Sequence, residues 1–211
     1  MKRRILWLVF AVVLVALAGC GSSDRPLIET TISSDPAVDG DIVDAAGVRT
    51  VSLVNRDGLP GVLAGVDPVN DDVYRAFLHF PLTRVPANHA ISSATLSVVI
   101  RSVTVVPPTA TIPLRIELVS FDPPIITNDF DRAILLPLAA TVVSPPITSA
   151  DVNREVNIDV TSLMAEAQFR GLPDFQVRIL QDNDLLTTVP GIVEIDEATV
   201  ANEPRLTVVH F

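Results

Sequence analysis

Ala94-Thr95-Leu96-Ser97-Val98-Val99-Ile100-Arg101 places Ala94, Leu96, Val98 and Ile100 on one side of an extended chain and mostly polar residues on the other. A period of two is the pattern of an antiparallel strand with one face buried and the other wet. Ile112-Pro113-Leu114-Arg115-Ile116-Glu117-Leu118 repeats it, four aliphatics facing one way and Pro, Arg and Glu the other. Pro113 has no N–H to give a ladder, so this strand is expected at an edge, or with that position turned to solvent. Shorter runs repeat the signal at 48–54, 73–80, 155–160, 175–180, 192–198 and 205–211, and 133–143 reads as a further strand interrupted by Pro137.

Turn formers separate these runs: Asn55-Arg56-Asp57-Gly58, Pro86-Ala87-Asn88, Pro107-Pro108, Pro123-Pro124, Pro145-Pro146, Asp182-Asn183-Asp184 and Asn202-Glu203-Pro204. Many short strands so punctuated predict an all-β antiparallel sandwich or barrel. The exception is 161–171, where Thr161 offers a hydroxyl cap, helix formers follow and Gly171 ends the run. It predicts a short helix near residues 161–170 across one end of the sandwich, with Leu163, Met164 and Ala167 inward.

The first twenty residues are a different physical object. Lys2, Arg3 and Arg4 precede a charge-free run over 5–18, too short for a permanent membrane span, which takes about 20 residues, but suited to a secretory signal. Leu17-Ala18-Gly19-Cys20 follows. This form resembles the lipobox of bacterial lipoproteins, which implies diacylglycerol on the Cys20 sulfur, cleavage before Cys20 and acylation of the new amine. Several acyl chains together anchor stably where one binds only marginally. Gly21 is not the aspartate that favours inner-membrane retention in Gram-negative lipoproteins, so the resemblance implies the outer membrane where there is one. Residues 1–19 are therefore read as the signal peptide, 20–38 as the lipidated cysteine and a flexible tether without periodicity, and 39–211 as one β domain.

Of 211 residues, 25 are acidic and 15 basic. Without the signal peptide 12 bases remain against 25 acids, a net charge of −13, and no lysine is left. Such a chain does not hold nucleic acid by neutralising phosphates. A single cysteine also excludes a disulfide framework and a thiolate metal site.

The order of the motifs carries a second resemblance. Tyr74-Arg75-Ala76-Phe77-Leu78-His79-Phe80-Pro81-Leu82 precedes Ile91-Ser92-Ser93-Ala94-Thr95-Leu96; Ile158-Asp159-Val160-Thr161-Ser162-Leu163 comes later, and Pro204-Arg205-Leu206 near the end. This resembles the DNRLRE or disaggregatase-related family of bacterial and archaeal surface modules, over about 39–211. The resemblance implies a jelly-roll sandwich related to carbohydrate-binding modules, with a polysaccharide or another envelope protein as partner.

Sugar modules stack pyranose rings on exposed aromatic faces. Past the signal peptide there is no Trp, and Phe77, Phe80, Phe175 and Phe211 sit in strand patterns. Tyr74, Phe121 and Phe130 are left as candidate platforms. Among several loop acid clusters, Asp39, Asp41 and Asp71 are the candidate oxygen ligands of one structural calcium; the plain alternative is solvated surface acids. Glu194 and Asp196 share one face of an alternating strand and read as surface. No H-x-x-x-H, G-x-S-x-G or P-loop occurs, so the expectation is a non-enzymatic surface binding or scaffolding module. The alternative is a structural subunit of an envelope or extracellular assembly, left open by the lack of lysine on strand edges.

Overall fold

The structure, a computed structural model, describes residues 26–211. Its regular structure is mostly antiparallel strands joined into one curled sheet, in the order β1-β12-β6-β11-β4-β5-β10-β7-β8. These are β1 (Ile28–Ser33), β4 (Gly61–Val66), β5 (Val73–Pro81), β6 (Ile91–Val105), β7 (Leu114–Val119), β8 (Ala139–Val142), β10 (Asp174–Gln181), β11 (Gly191–Asp196) and β12 (Arg205–His210). Two short strands, β2 (Gly40–Ala45) and β3 (Val48–Leu53), form a hairpin attached to β5, and β9 (Arg154–Asp159) pairs with β6.

The stretch that opened the sequence reading lies in β6, whose length gives it three partners in succession. β12 pairs along its first half, β9 along its middle and β11 along its last residues. Ala94, Leu96, Val98 and Ile100 are all buried, as the alternation requires. They join the main core with Ala76, Leu78 and Phe80 of β5, Leu114, Ile116 and Leu118 of β7, and Phe175, Val177 and Ile179 of β10. Helix α2 (Thr161–Phe169), the second after the single turn α1 (Val54–Asp57), adds Leu163, Met164 and Ala167 to that core. Its start differs in detail from the expected cap. The Thr161 hydroxyl accepts the Ala94 N–H at 3.0 Å, tying the helix to β6, while Asp159 Oδ1 takes the Thr161 N–H at 2.9 Å.

A second, smaller core lies on the other face of β5, β10 and β7. Ile42, Leu53, Phe77, Val119, Phe121, Ile125, Phe130 and Leu135 form it, with the 121–135 loop supplying half of them. β5 and β10 are consequently buried on both faces along most of their length.

Four expectations are corrected. Part of the tether is a strand: β1 pairs with β12 over six residues and buries Ile32. β7 is not an edge, since it lies between β10 and β8; Pro113 falls just before it and its carbonyl accepts from Asp182 N–H. Only Ala139–Val142 of the 133–143 run is strand, because Leu135 is drawn into the second core. Glu117, expected to face water, is completely buried for the same reason: β7 is covered on both sides.

Candidate functional site

Of the three aromatics expected as platforms, two have no face to offer. Phe121 and Phe130 are buried in the second core, Phe121 edge-on to Phe77 at 5.8 Å and Phe130 beside the guanidiniums of Arg75 and Arg49 at 4.0 and 4.7 Å. Both are thereby corrected from ligand contacts to core. Tyr74 is half-buried on β5; burial, then the charges of Asp72, Asp67 and Asp41, push its hydroxyl pKa up. Cys20 lies outside the described residues. Glu194 and Asp196 lie 3.5 and 3.6 Å from Arg101, with only 19% and 13% of their side chains exposed.

The second core is held by charges that the alternation did not reveal. Arg178 on β10 and Glu117 on β7 are register partners with no exposure at all. Arg178 donates to Glu117 Oε2 from Nε at 3.0 Å and Nη2 at 2.7 Å, and to the carbonyls of Asp129 and Leu135. Arg132 reaches the other oxygen of Glu117 at 2.6 Å. Beside them Arg75 pairs with Asp184 at 2.7 Å and donates to the Phe130 carbonyl. Every charge here has a partner, so this network fastens the loop and presents no free reactive group.

The acids at the start of β2 behave differently. Asp39 and Asp41 are buried, whereas Asp71 sits exposed in the 67–72 turn at φ +60°. The third acid of the buried group is Glu197, just past β11 and only 7% exposed. Sequence reading missed it, because it is remote in the chain and looks like any turn residue. Asp39 Oδ1 accepts the His79 N–H at 2.7 Å and Asp41 Oδ2 the Leu63 N–H at 3.0 Å. Asp39 Oδ2, both Glu197 carboxylate oxygens and Ser34 Oγ are buried without a hydrogen-bond partner.

Burial dominates the acidity of all three. It pushes Asp41 up to about 6 and, with the charges of Glu203, Asp196 and Asp41, Glu197 up to about 8. Asp39 is raised well above the usual carboxylate range by burial and then by Glu197. The charge of Glu197 thus acts on Asp39, and that of Asp41 on Glu197. Among the described residues none of the three forms an ion pair, and no three His, Cys, Asp or Glu side chains converge tightly enough to chelate a metal by themselves. The expected trio of Asp39, Asp41 and Asp71 is not brought together.

Shallow grooves also mark the surface. One, of about 450 Å³, runs between α2 and the 82–87 segment, lined by Leu82, Val85, Met164 and Leu172. Another, about 420 Å³, lies between the edges of β8 and β9, where Val142, Ile158 and Thr161 line it. Among the described residues no helix is long and apolar enough to cross a membrane. No protein-family profile matches the chain, and no curated protein proves similar to it.

Proposed function

We propose that the protein is a lipid-anchored, extracytoplasmic, non-enzymatic module that binds or scaffolds at the cell envelope, folded as a jelly roll of the DNRLRE or disaggregatase-related kind. Strand pairing supports the jelly roll. β4 pairs with β11, β5 with β10, β6 with β9 and β7 with β8, four strands out and four back, as in a β ribbon rolled on itself.

The observation that carries the functional reading is the junction of lipobox and fold. Only seven residues separate Cys20 from the first strand residue, Ile28, eight steps that extended span at most about 29 Å. A diacylated Cys20 would hold the domain against the bilayer rather than let it roam, in the outer membrane where the envelope has one. Polysaccharide or an envelope protein are the partners this geometry suits. Tyr74 is the remaining half-exposed aromatic of the three candidates, and a glycan would rest on it and on the neighbouring loop acids Asp67 and Asp72.

A specific observation favours the structural-subunit reading as a second choice. β1, β3, β8 and β9 each pair on one side only, and past the signal peptide no lysine guards those edges. The test begins with palmitate labelling of the full chain in its host, where Cys20→Ser should abolish both the label and membrane fractionation. Detergent-solubilised protein is then screened on a glycan array. Saturable binding lost in Tyr74→Ala supports the glycan reading; no glycan binding, together with self-association or capture of one envelope protein, supports the subunit reading. An unlabelled wild type overturns the anchor.

A further inference from the structure

The point at which the tether joins the fold limits which end of the domain meets the bilayer. Ile28, the first residue of β1, pairs with His210, the last of β12, so Leu27 and Phe211 adjoin the same end. That end is tied to the last turn of α2. His89 Nδ1 lies 2.8 Å from His210 Nδ1, and Ala90 and Phe211 exchange backbone hydrogen bonds at 3.0 and 3.1 Å. The Gln168 amide donates to the His89 and Pro86 carbonyls at 2.6 and 3.2 Å. Phe169, the next residue, is 86% exposed, and Leu27, Ile28 and Phe211 are 66, 42 and 36% exposed. Apolar side chains gathered on one surface mark a protein or membrane contact.

The opposite end is differently made. β6 runs from Ile91, paired with His210, to Val105, paired with Gly191, roughly 45 Å of strand. Beyond Val105 lie the 182–190 loop and the 67–72 turn, the latter closed by the Val66–Val73 pair. That turn carries Asp67, Asp71 and Asp72 and no basic residue. Near the tether the charges balance: Arg84, which donates to the Thr31 carbonyl, and Arg170, paired with Glu166, stand against Glu166 and Glu29. An acidic end is held off an anionic lipid surface, whereas a balanced one is not. An inverted domain would also lift Ile28 by the length of β6, more than the about 29 Å that the tether spans.

We propose that the end bearing Leu27, Ile28, Phe169 and Phe211 rests in the headgroup region of a lipid bilayer, with Phe169 as its foremost contact. Aromatic and aliphatic side chains at that depth bury apolar surface and add to the hold of the acyl chains. Tyr74, which pairs with Gly65 near the 67–72 turn, is thereby turned away from the membrane, where a soluble or extended ligand reaches it. The inference rests on the lipid anchor at Cys20 and adds an orientation to it.

The test is fluorescence quenching from within the lipid. Past residue 19 the chain has no tryptophan, so Phe169→Trp and Leu186→Trp each install a single reporter, both at positions more than 80% exposed. Acylated protein purified from its host is reconstituted into phosphatidylcholine vesicles, with and without brominated acyl chains, and floated. The indole of Phe169→Trp should shift its emission to the blue and be quenched by the brominated lipid. That of Leu186→Trp should keep its emission and be quenched by aqueous iodide. Leu27→Trp reports from the same end as Phe169→Trp if the latter fails to fold. Flotation reads the anchor separately: acylated protein that floats no better than Cys20→Ser overturns the anchor, and the inference with it. Protein that floats while the near-end reporter ignores the brominated lipid, or while both ends are quenched alike, overturns the orientation alone.

Discussion

Glu117 Oε2 accepts two hydrogen bonds from one guanidinium, Arg178 Nε at 3.0 Å and Nη2 at 2.7 Å, with neither side chain exposed to water. The pair sits across β7 and β10 and is the hinge on which the second core hangs, because the same guanidinium also holds the carbonyls of Asp129 and Leu135. Removing one member leaves an uncompensated buried charge. Glu117→Leu is expected to destabilise the protein by about 3–5 kcal/mol. The double variant Glu117→Leu/Arg178→Met should recover much of that loss, yet leave the 121–135 loop open to hydrogen exchange. Chemical denaturation and amide exchange read the two effects separately.

Gly65 and Gly47 both have positive φ, +129° and +87°, but in different surroundings. A Cβ on Gly65 would lie 2.0 Å from the Gly191 carbonyl oxygen, where β4 and β11 pair; one on Gly47 meets nothing within 4 Å. Gly47→Ala should therefore cost only about 1–2 kcal/mol of backbone strain. Gly65→Ala should exceed about 4 kcal/mol, the range kept for a broken core contact, and yield little folded protein. Paired melts and expression yields decide it.

His210 is buried at the end of β12, with Nε2 3.0 Å from Thr30 Oγ1 and Nδ1 2.8 Å from His89 Nδ1. Burial, then the neighbouring His89, lowers its pKa below 6.5. The folded state therefore binds fewer protons than the unfolded state in this window, and the contribution is full above 6.5 and lost as pH falls. Melts between about pH 7 and pH 5 should show wild type losing stability relative to His210→Gln as the pH drops. Taking the difference cancels the buried acids, whose raised pKa values act in the opposite direction. A constant difference would contradict the assignment.

Asp159 Oδ1 accepts from both the N–H and the hydroxyl of Thr161, at 2.9 and 2.6 Å, and this holds its own pKa below the usual value. Asp159→Ala should cost about 0.5–2 kcal/mol, the ordinary worth of a helix-start acceptor. The loss should appear as faster exchange of the first turn of α2 and should shrink at acid pH, where the wild-type carboxylate is itself protonated.

What could be read directly from the chain was whatever has one wet face. β6 alternates because its outer side meets water along most of its length, and α2 shows its three buried positions because its other side is exposed. β5, β7 and β10 are covered on both faces, so Glu117, read as a solvent-side charge, is instead neutralised within the protein by Arg178, as Asp184 is by Arg75. Phe121 and Phe130 flank a stretch of acids and prolines, Asp122-Pro123-Pro124 and Asp129, that suggests an open loop, yet that loop is the lid of the second core. β2 and β4 were hidden by glycines, which carry no side chain to mark a face. The buried acids were half legible: Asp39 and Asp41 stood out as acids close in sequence, whereas Asp71, taken from a separate acid cluster, proved exposed. Glu197 gave no signal, because its burial depends on what folds around the end of β11.

The ladder between β1 and β12 also has a mechanical meaning. Ile28 to Ser33 pair residue by residue with His210 to Arg205, and within β1 only Ile32 is sunk into the core. Tension on the chain ahead of Ile28 is therefore borne almost entirely by backbone hydrogen bonds. Drawn along the strand, all six pairs share the load in shear; drawn sideways, they open one after another from Ile28 like a zip. In the second case β12 would be stripped of its neighbour, and a clean edge would face whatever lies beside the molecule.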